Sequence, residues 1–297
     1  MNKSLEFDSW TEFGLTVIRE SIELVNSLGS KGTKVVDVRT GEYRHWDPET
    51  LKVDKEVEDF FIKKIKEKGI YGTFLSEEAG KLDLERSKSC PEKLDEKVYF
   101  ISDPFDGSLL YKRNISAFWY TTLAVYSADD SVKTAIVGDC AGKSIDFCDS
   151  HKAYTSRIKD KNITDISEIK PSQTSKLSDA FIETYLMKPH YLYPAAINFK
   201  PLFEKVKFIL PNGGPSGFCD VARGKVDIYL ANKQPFVDVF TGLAIAQKAG
   251  CVITDYNGNP PKFEADINKR FNIICSANES IHEQVLEVLK ECKLYES

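Results

Sequence analysis

Apolar residues recur every three or four positions between 8 and 28, from Trp10 and Phe13 through Ile18 and Ile22 to Val25 and Leu28. That spacing predicts a helix, and Gly29 stops it. Positions 29–50 are polar, carry Gly32, Gly41 and Pro48, and read as a loop or loose hairpin. Helical spacing returns over 52–68, with Val53, Val57, Phe60, Phe61 and Ile65 as the buried stripe. The pattern then shifts to short β-rich runs at 71–75 and 98–101, separated by a charged stretch, 81–96, that reads as an exposed connection. Runs at 118–126, 132–140 and 144–148, with 150–154 as a possible addition, predict a meander turning at Asp129-Asp130 and Gly142. Positions 160–178 are polar and form the candidate boundary between two lobes.

Beyond that boundary strands and helices alternate. Strands are predicted at 180–186, 206–210, 226–230, 251–254 and 271–275. Helices are predicted at 194–203, 217–223 and 236–249, with a last one capped by Asn278 and running to about 292. The fold class is therefore α/β: an α+β lobe over 1–175, with helices on a largely antiparallel sheet, and an α/β lobe over 176–297.

Composition narrows the function. The 297 residues are 42% hydrophobic and 29% charged, as in a globular protein with a full core. A net charge of −5 does not suggest a nucleic-acid polymer as partner. No apolar run approaches the length of a membrane span, and the N-terminal residues lack a signal-peptide core. Seven cysteines, from Cys90 to Cys292 and without a C-x-x-C pair, read as free thiols in a reducing, cytoplasmic setting. The four histidines, His45, His151, His190 and His282, are too dispersed for a His-rich metal site.

The chemistry concentrates after the 98–101 run, in Asp103-Pro104-Phe105-Asp106-Gly107-Ser108. Pro104 ends the strand, because it has no N–H for the ladder. Two carboxylates three residues apart on such a turn can share one cavity, where they would repel unless one held a proton or a cation intervened. Hard cations such as Mg²⁺ take oxygen donors of this kind, and the Phe105 carbonyl can add a third. Gly107 permits close backbone approach, and Ser108 reads as the cap of a helix whose free N–H groups suit a phosphate. A capped turn with solvated aspartates explains the stretch too, so partners elsewhere must decide. Glu77 and Glu78 are candidates because they close the 71–75 run, where ligands of α/β proteins gather. Asp54 and Asp238 each occupy the first turn of a predicted helix, which either serves the site or only complements the helix dipole.

Four pieces follow one another in order: S-E-E at 76–78, D-P-F-D-G-S at 103–108, P-S-G-F at 215–218 and F-V-D-V-F-T-G-L-A at 236–244. With T-L-K-V-D-K-E-V-E at 50–58 and I-I-C-S-A-N at 273–278, they resemble the inositol monophosphatase and fructose-1,6-bisphosphatase superfamily of Mg²⁺-dependent, lithium-sensitive phosphatases. That resemblance implies a layered αβαβα sandwich and two or three Mg²⁺ ions. It implies that Glu77, Asp103 and the Phe105 carbonyl hold a first ion, and Asp103, Asp106 and Asp238 a second. A third would sit near Glu77 within reach of Asp54, with Glu78 behind it. Ser108 with Glu77 would orient and deprotonate the attacking water. Asp106 would belong to the catalytic set, the Gly107 and Ser108 N–H groups would bind phosphate, and Gly214, Pro215 and Ser216 would face the substrate.

The pattern departs from the family in places. Val237 stands where the family has Trp before the metal-binding Asp. The acid that inositol monophosphatases set against the inositol ring falls at Ala231 or Asn232, neither of them acidic. Lys34 and Asp37 are candidates in the long 31–50 segment. Lys188, Arg223 and Lys233 keep a second phosphate possible. The reading is a Mg²⁺-dependent phosphomonoesterase, expected as a homodimer, acting on a small phosphorylated polyol or sugar. The alternatives are a 3′(2′),5′-bisphosphate nucleotidase and a non-catalytic phosphosugar-binding member of the family.

Overall fold

The computed structural model describes residues 6–38, 48–85 and 96–292. Cys90, His45 and part of the 31–50 segment lie outside them. Helix α1 (Ser9–Leu28) starts at Asp8, whose carboxylate accepts from the Trp10 and Thr11 N–H groups at 2.9 Å each. With α2 (Lys52–Glu67) it covers one face of an eight-stranded sheet. The strands are β3 (Gly72–Ser76), β4 (Gly80–Leu84), β5 (Val98–Ser102), β6 (Tyr120–Ser127), β7 (Val132–Asp139), β8 (Ser144–Cys148), β9 (Ala153–Lys159) and β10 (Asn162–Glu168). Their order is β10-β9-β8-β7-β6-β5-β3-β4, with the β3–β5 pair parallel and the other described pairs antiparallel. A small hairpin, β1 (Val35–Val38) with β2 (Glu49–Leu51), precedes α2.

Successive strand residues face opposite ways, and both faces of this sheet are apolar. Phe100, Leu123, Val125 and Ile136 meet α1 and α2. Their neighbours Ile101, Ala124, Tyr126, Ala135 and Val137 meet a second core that includes α6 (Pro215–Ala222) and α7 (Phe236–Ala249). That helix pair is shared with a five-stranded sheet ordered β12-β11-β13-β15-β14: Phe208–Leu210, Phe181–Glu183, Ile228–Pro235, Arg270–Ser276 and Val252–Asp255. Tyr229, Ala231 and Cys275 face α6 and α7, whereas Ile228, Leu230 and Ile274 face outward. The outward side is covered by α4 (Pro189–Asn198), α5 (Lys200–Phe203) and α8 (Glu279–Leu289). The layers thus run helix, sheet, helix, sheet, helix, as the resemblance implied.

Three expectations change. The 81–96 stretch is not wholly a connection, because Gly80–Leu84 form edge strand β4. Lys81 and Asp83 point to solvent while Leu82 and Leu84 turn inward, an alternation that charge obscured. The polar 160–178 segment likewise begins with β10 at the opposite edge of the sheet. Helix α4 begins at Pro189, not at 194; Pro189 takes the first-turn position that suits proline, and Pro194 lies inside the helix.

Candidate active site

The parallel pairing of β3 and β5 positions the first two acids. Ser76 is in register with Ser102, so both strands end side by side and their next residues, Glu77 and Asp103, leave the sheet at the same rim. Asp103 is fixed through its backbone. Its N–H donates to Thr122 Oγ1 at 2.9 Å, and the Thr122 N–H donates to its carbonyl at 3.0 Å. Its carboxylate Oδ1 accepts from the Phe105 N–H at 3.2 Å and tightens the turn. Asp106 pairs with Tyr120 by two backbone bonds of 2.9 and 3.0 Å. The Phe105 ring is buried against Tyr111, edge to face at 5.1 Å, so this side chain anchors the turn.

Gly107 is left-handed at φ 102°, and a Cβ there would stand 2.1 Å from the Phe118 carbonyl. It is therefore Gly107, not Ser108, that occupies the cap of helix α3 (Ser108–Lys112). Ser108 is freed for another task. Its hydroxyl donates to Asp54 Oδ1 at 2.6 Å. Asp54, only 3% exposed, also accepts from the Leu51 N–H through Oδ2 at 2.6 Å. It thus closes the start of α2 and, through Ser108, touches the cavity wall from behind. Burial pushes its carboxyl up to about 7, and the nearby Glu78 charge adds to this, against the two hydrogen bonds.

Asp238 reaches the site from the other sheet. Strand β13 ends at Pro235 and runs straight into α7, with Asp238 in the first turn. Glu77, Asp103, Phe105, Asp106, Gly107, Ser108, Gly214 and Asp238 all border one cavity of about 220 Å³. Gly214, at φ 72°, lies so near Asp106 that a Cβ would stand 3.1 Å from its Oδ2. The Gly214 N–H donates to the buried Tyr229 hydroxyl at 2.8 Å.

Other expected residues do not border the cavity. Pro215 and Ser216 are buried at the start of α6, and the Ser216 hydroxyl donates to the Gly213 carbonyl at 2.9 Å. Asn212, Gly213 and Gly214 form the lining there. Glu78 accepts from Thr50 Oγ1 at 2.9 Å. Asp37 accepts from the Val38 N–H at 2.8 Å, and neither it nor Lys34 lines the cavity. Arg223 is engaged by Asp146 at 3.1 Å and Asp220 at 2.5 Å, away from the lining, and Lys233 is exposed. Ala231 is buried in the central core.

Lys188 does border the cavity, together with Arg270, Tyr185, Met187, Tyr191 and Gln234. Sequence reasoning missed Arg270, which is a single cation before a strand with no local pattern around it. Burial raises the Tyr191 phenol, and the charges of Arg270, Asp238 and Glu77 all act on it, so these groups share one neighbourhood.

Among the described residues, no group of three His, Cys, Asp or Glu side chains forms a ready metal cage. The donor set nevertheless fits a hard dication. Four carboxylates and a carbonyl lining one cavity are all oxygen ligands, and so many acids together are tolerable only when a cation or protons neutralise them.

The sequence model of the inositol monophosphatase family matches residues 6–294, and the chain belongs to that family. A fructose-1,6-bisphosphatase/inositol-1-monophosphatase of Thermococcus kodakarensis is 26% identical over 296 residues, 97% of this chain and 99% of that protein. The enzyme of the same name from Methanocaldococcus jannaschii is 25% identical over 285 residues, 94% of this chain and 99% of its own. Among solved structures, the extragenic suppressor protein suhB of Bartonella henselae superposes with a TM-score of 0.72 at 18% identity, over 93% of this chain and 96% of that one, a likeness of fold.

Proposed function

We propose that this protein is a Mg²⁺-dependent phosphomonoesterase that hydrolyses a small phosphorylated polyol or sugar by attack of water. The observation that carries the reading is the common cavity of Glu77, Asp103, Asp106 and Asp238, bordered by Ser108 with Asp54 behind it. Glu77, Asp103 and the Phe105 carbonyl would hold one ion, Asp103, Asp106 and Asp238 a second, and Asp54 with Glu78 would support a third. Ions bound there neutralise the acids, draw charge from phosphoryl oxygens and lower the pKa of a bound water. The chain's own part is positional. Ser108 Oγ, held by Asp54, presents a hydroxyl at the cavity wall that can orient the water. Asp54 accepts the Ser108 hydroxyl proton through Oδ1, which leaves the Ser108 oxygen lone pairs directed away from Asp54. The Gly107 and Ser108 N–H groups would face phosphate oxygens.

Lys188 and Arg270 on the same wall favour a substrate with a second anionic group, and Tyr185 and Tyr191 offer apolar faces to a sugar ring. This supports a bisphosphorylated sugar of the fructose-1,6-bisphosphate type over inositol monophosphate. A 3′(2′),5′-bisphosphate nucleotide satisfies the same charges and is the second reading. Phosphate release from these three substrates, with Mg²⁺ and with chelator, tests both levels: no release from any of them removes the phosphatase reading. The same reading includes a cytoplasmic homodimer, the latter tested by sedimentation; among the described residues no helix is long and apolar enough to cross a membrane.

A further inference from the structure

We infer that Glu58 is a positioning residue for the turn that carries Glu77, an inference that rests on the reading of Glu77 as a cation ligand. Glu58 lies on the inner face of α2, between Val57 and Phe61, and is only 2% exposed. Its Oε1 accepts from the Ser76 hydroxyl and from the Ala79 N–H, the latter at 2.6 Å. The Ala79 N–H also reaches Ser76 Oγ at 3.1 Å. A single oxygen from a helix thus ties together the two residues that flank Glu77 and Glu78.

Stability alone gives little reason for this acid. Burial pushes the Glu58 carboxyl up, because a charge there has lost its water. The stripe around it is Val53, Val57, Phe61 and Ile65, and an apolar residue would extend that stripe without a desolvation penalty. What an apolar residue cannot do is accept the two bonds that fix the turn. The turn spans only three residues between β3 and β4, so its backbone direction sets where the Glu77 carboxylate enters the cavity. Dication ligands must be placed to within a few tenths of an ångström, so a partner behind the ligand governs affinity.

Two substitutions separate this role from mere packing. Glu58→Leu keeps volume and removes the acceptor. Glu58→Gln removes the charge but keeps an oxygen able to accept both bonds. In the metal-free protein, Glu58→Leu should speed amide exchange at Ala79 by about tenfold or more, with the β5 amides unchanged. It should raise the Mg²⁺ concentration at half-maximal thermal shift by about tenfold or more, while kcat at saturating Mg²⁺ stays within about threefold. Glu58→Gln should bring both quantities back to within about threefold of wild type. Wild-type Ala79 exchange and Mg²⁺ dependence in Glu58→Leu would overturn the inference. So would a Gln variant as impaired as the Leu one, since charge and not the acceptor would then matter. Should Glu58→Leu fail to fold, Ser76→Ala deletes one of the two bonds and should shift both quantities by about two- to threefold; no shift counts against the brace. A wild-type protein that shows no Mg²⁺ response overturns the metal reading instead, and the Ala79 exchange rate still judges Glu58.

Discussion

Two walls of one cavity were built in different ways. The acidic wall comes from the ends of β3 and β5 and the turn after each, where Glu77, Asp103, Asp106 and Ser108 lie within 32 residues of sequence. The other wall collects Tyr185, Lys188 and Tyr191 near α4, the 212–214 loop, Gln234 at the end of β13 and Arg270 at the start of β15. In the first wall, strand ends, a proline and a left-handed glycine place Glu77, Asp103 and Asp106 locally, while Asp238 joins them from α7. The second exists only because the five-stranded sheet brings together segments that share no local pattern.

The largest effects should fall on the acidic wall. Glu77→Gln keeps shape but removes one ligand charge, and turnover should drop by about a hundredfold or more with little change in melting temperature. Near-wild-type turnover at saturating Mg²⁺ would discard Glu77 as a ligand and move attention to Glu78. Asp238→Asn tests whether the second sheet truly contributes to that wall. Its turnover should also fall by about a hundredfold or more, since charge on the leaving oxygen would be poorly stabilised. An Asp in the first turn of a helix is favourable by roughly 0.3–1 kcal/mol by itself. Full activity with a lowered metal-free melting temperature would therefore mark Asp238 as a helix-dipole residue only.

A smaller effect is expected on the other wall. Arg270→Ala and Lys188→Ala should raise KM for fructose-1,6-bisphosphate by about tenfold each, the loss of a charged hydrogen bond, and leave inositol 1-phosphate within about threefold. Equal losses on both substrates would mean that these cations serve the reacting phosphate. The missing acid at Ala231 sharpens the contrast. A preference for inositol monophosphate above about a hundredfold, roughly 2.7 kcal/mol, would contradict the sugar-phosphate reading.

The same contrast explains what the sequence discloses. Periodicity gives the long helices α1 and α2 nearly to the residue, because each buries one apolar stripe, while α7, buried on all sides between the two sheets, is marked by its length and by the Gly250 that ends it. The acids around Asp103 are legible because proline, glycine and spacing mark a turn after a strand. Strands β4 and β10 are obscured because edge strands carry Lys, Asp and Glu on their exposed positions. The Ser108–Asp54 bond joins residues 54 apart through the docking of α2, and no local pattern encodes it. Arg270 and the buried Glu58 are hidden for the same reason: their neighbours are tertiary.

A prediction on stability rather than turnover concerns Asp54, where the acidic wall meets the helix layer. Its carboxyl titrates near 3.8 when unfolded and near 7 in the folded protein, raised mainly by burial. Between those values the folded state holds a proton that the unfolded chain has released. Rising pH therefore removes stability from the metal-free protein across roughly pH 4 to 7, at no more than about 1.4 kcal/mol per unit. Asp54→Asn stays neutral throughout, so its melting curve supplies the reference. The melting temperature of the wild type, relative to this variant, should decline by several degrees from pH 4 to 7. Saturating Mg²⁺ should flatten that decline, because a nearby dication favours the ionised carboxylate. Parallel melting curves for the two proteins without metal would show that Asp54 keeps an ordinary titration, and that the Ser108 hydroxyl and Leu51 N–H outweigh its burial.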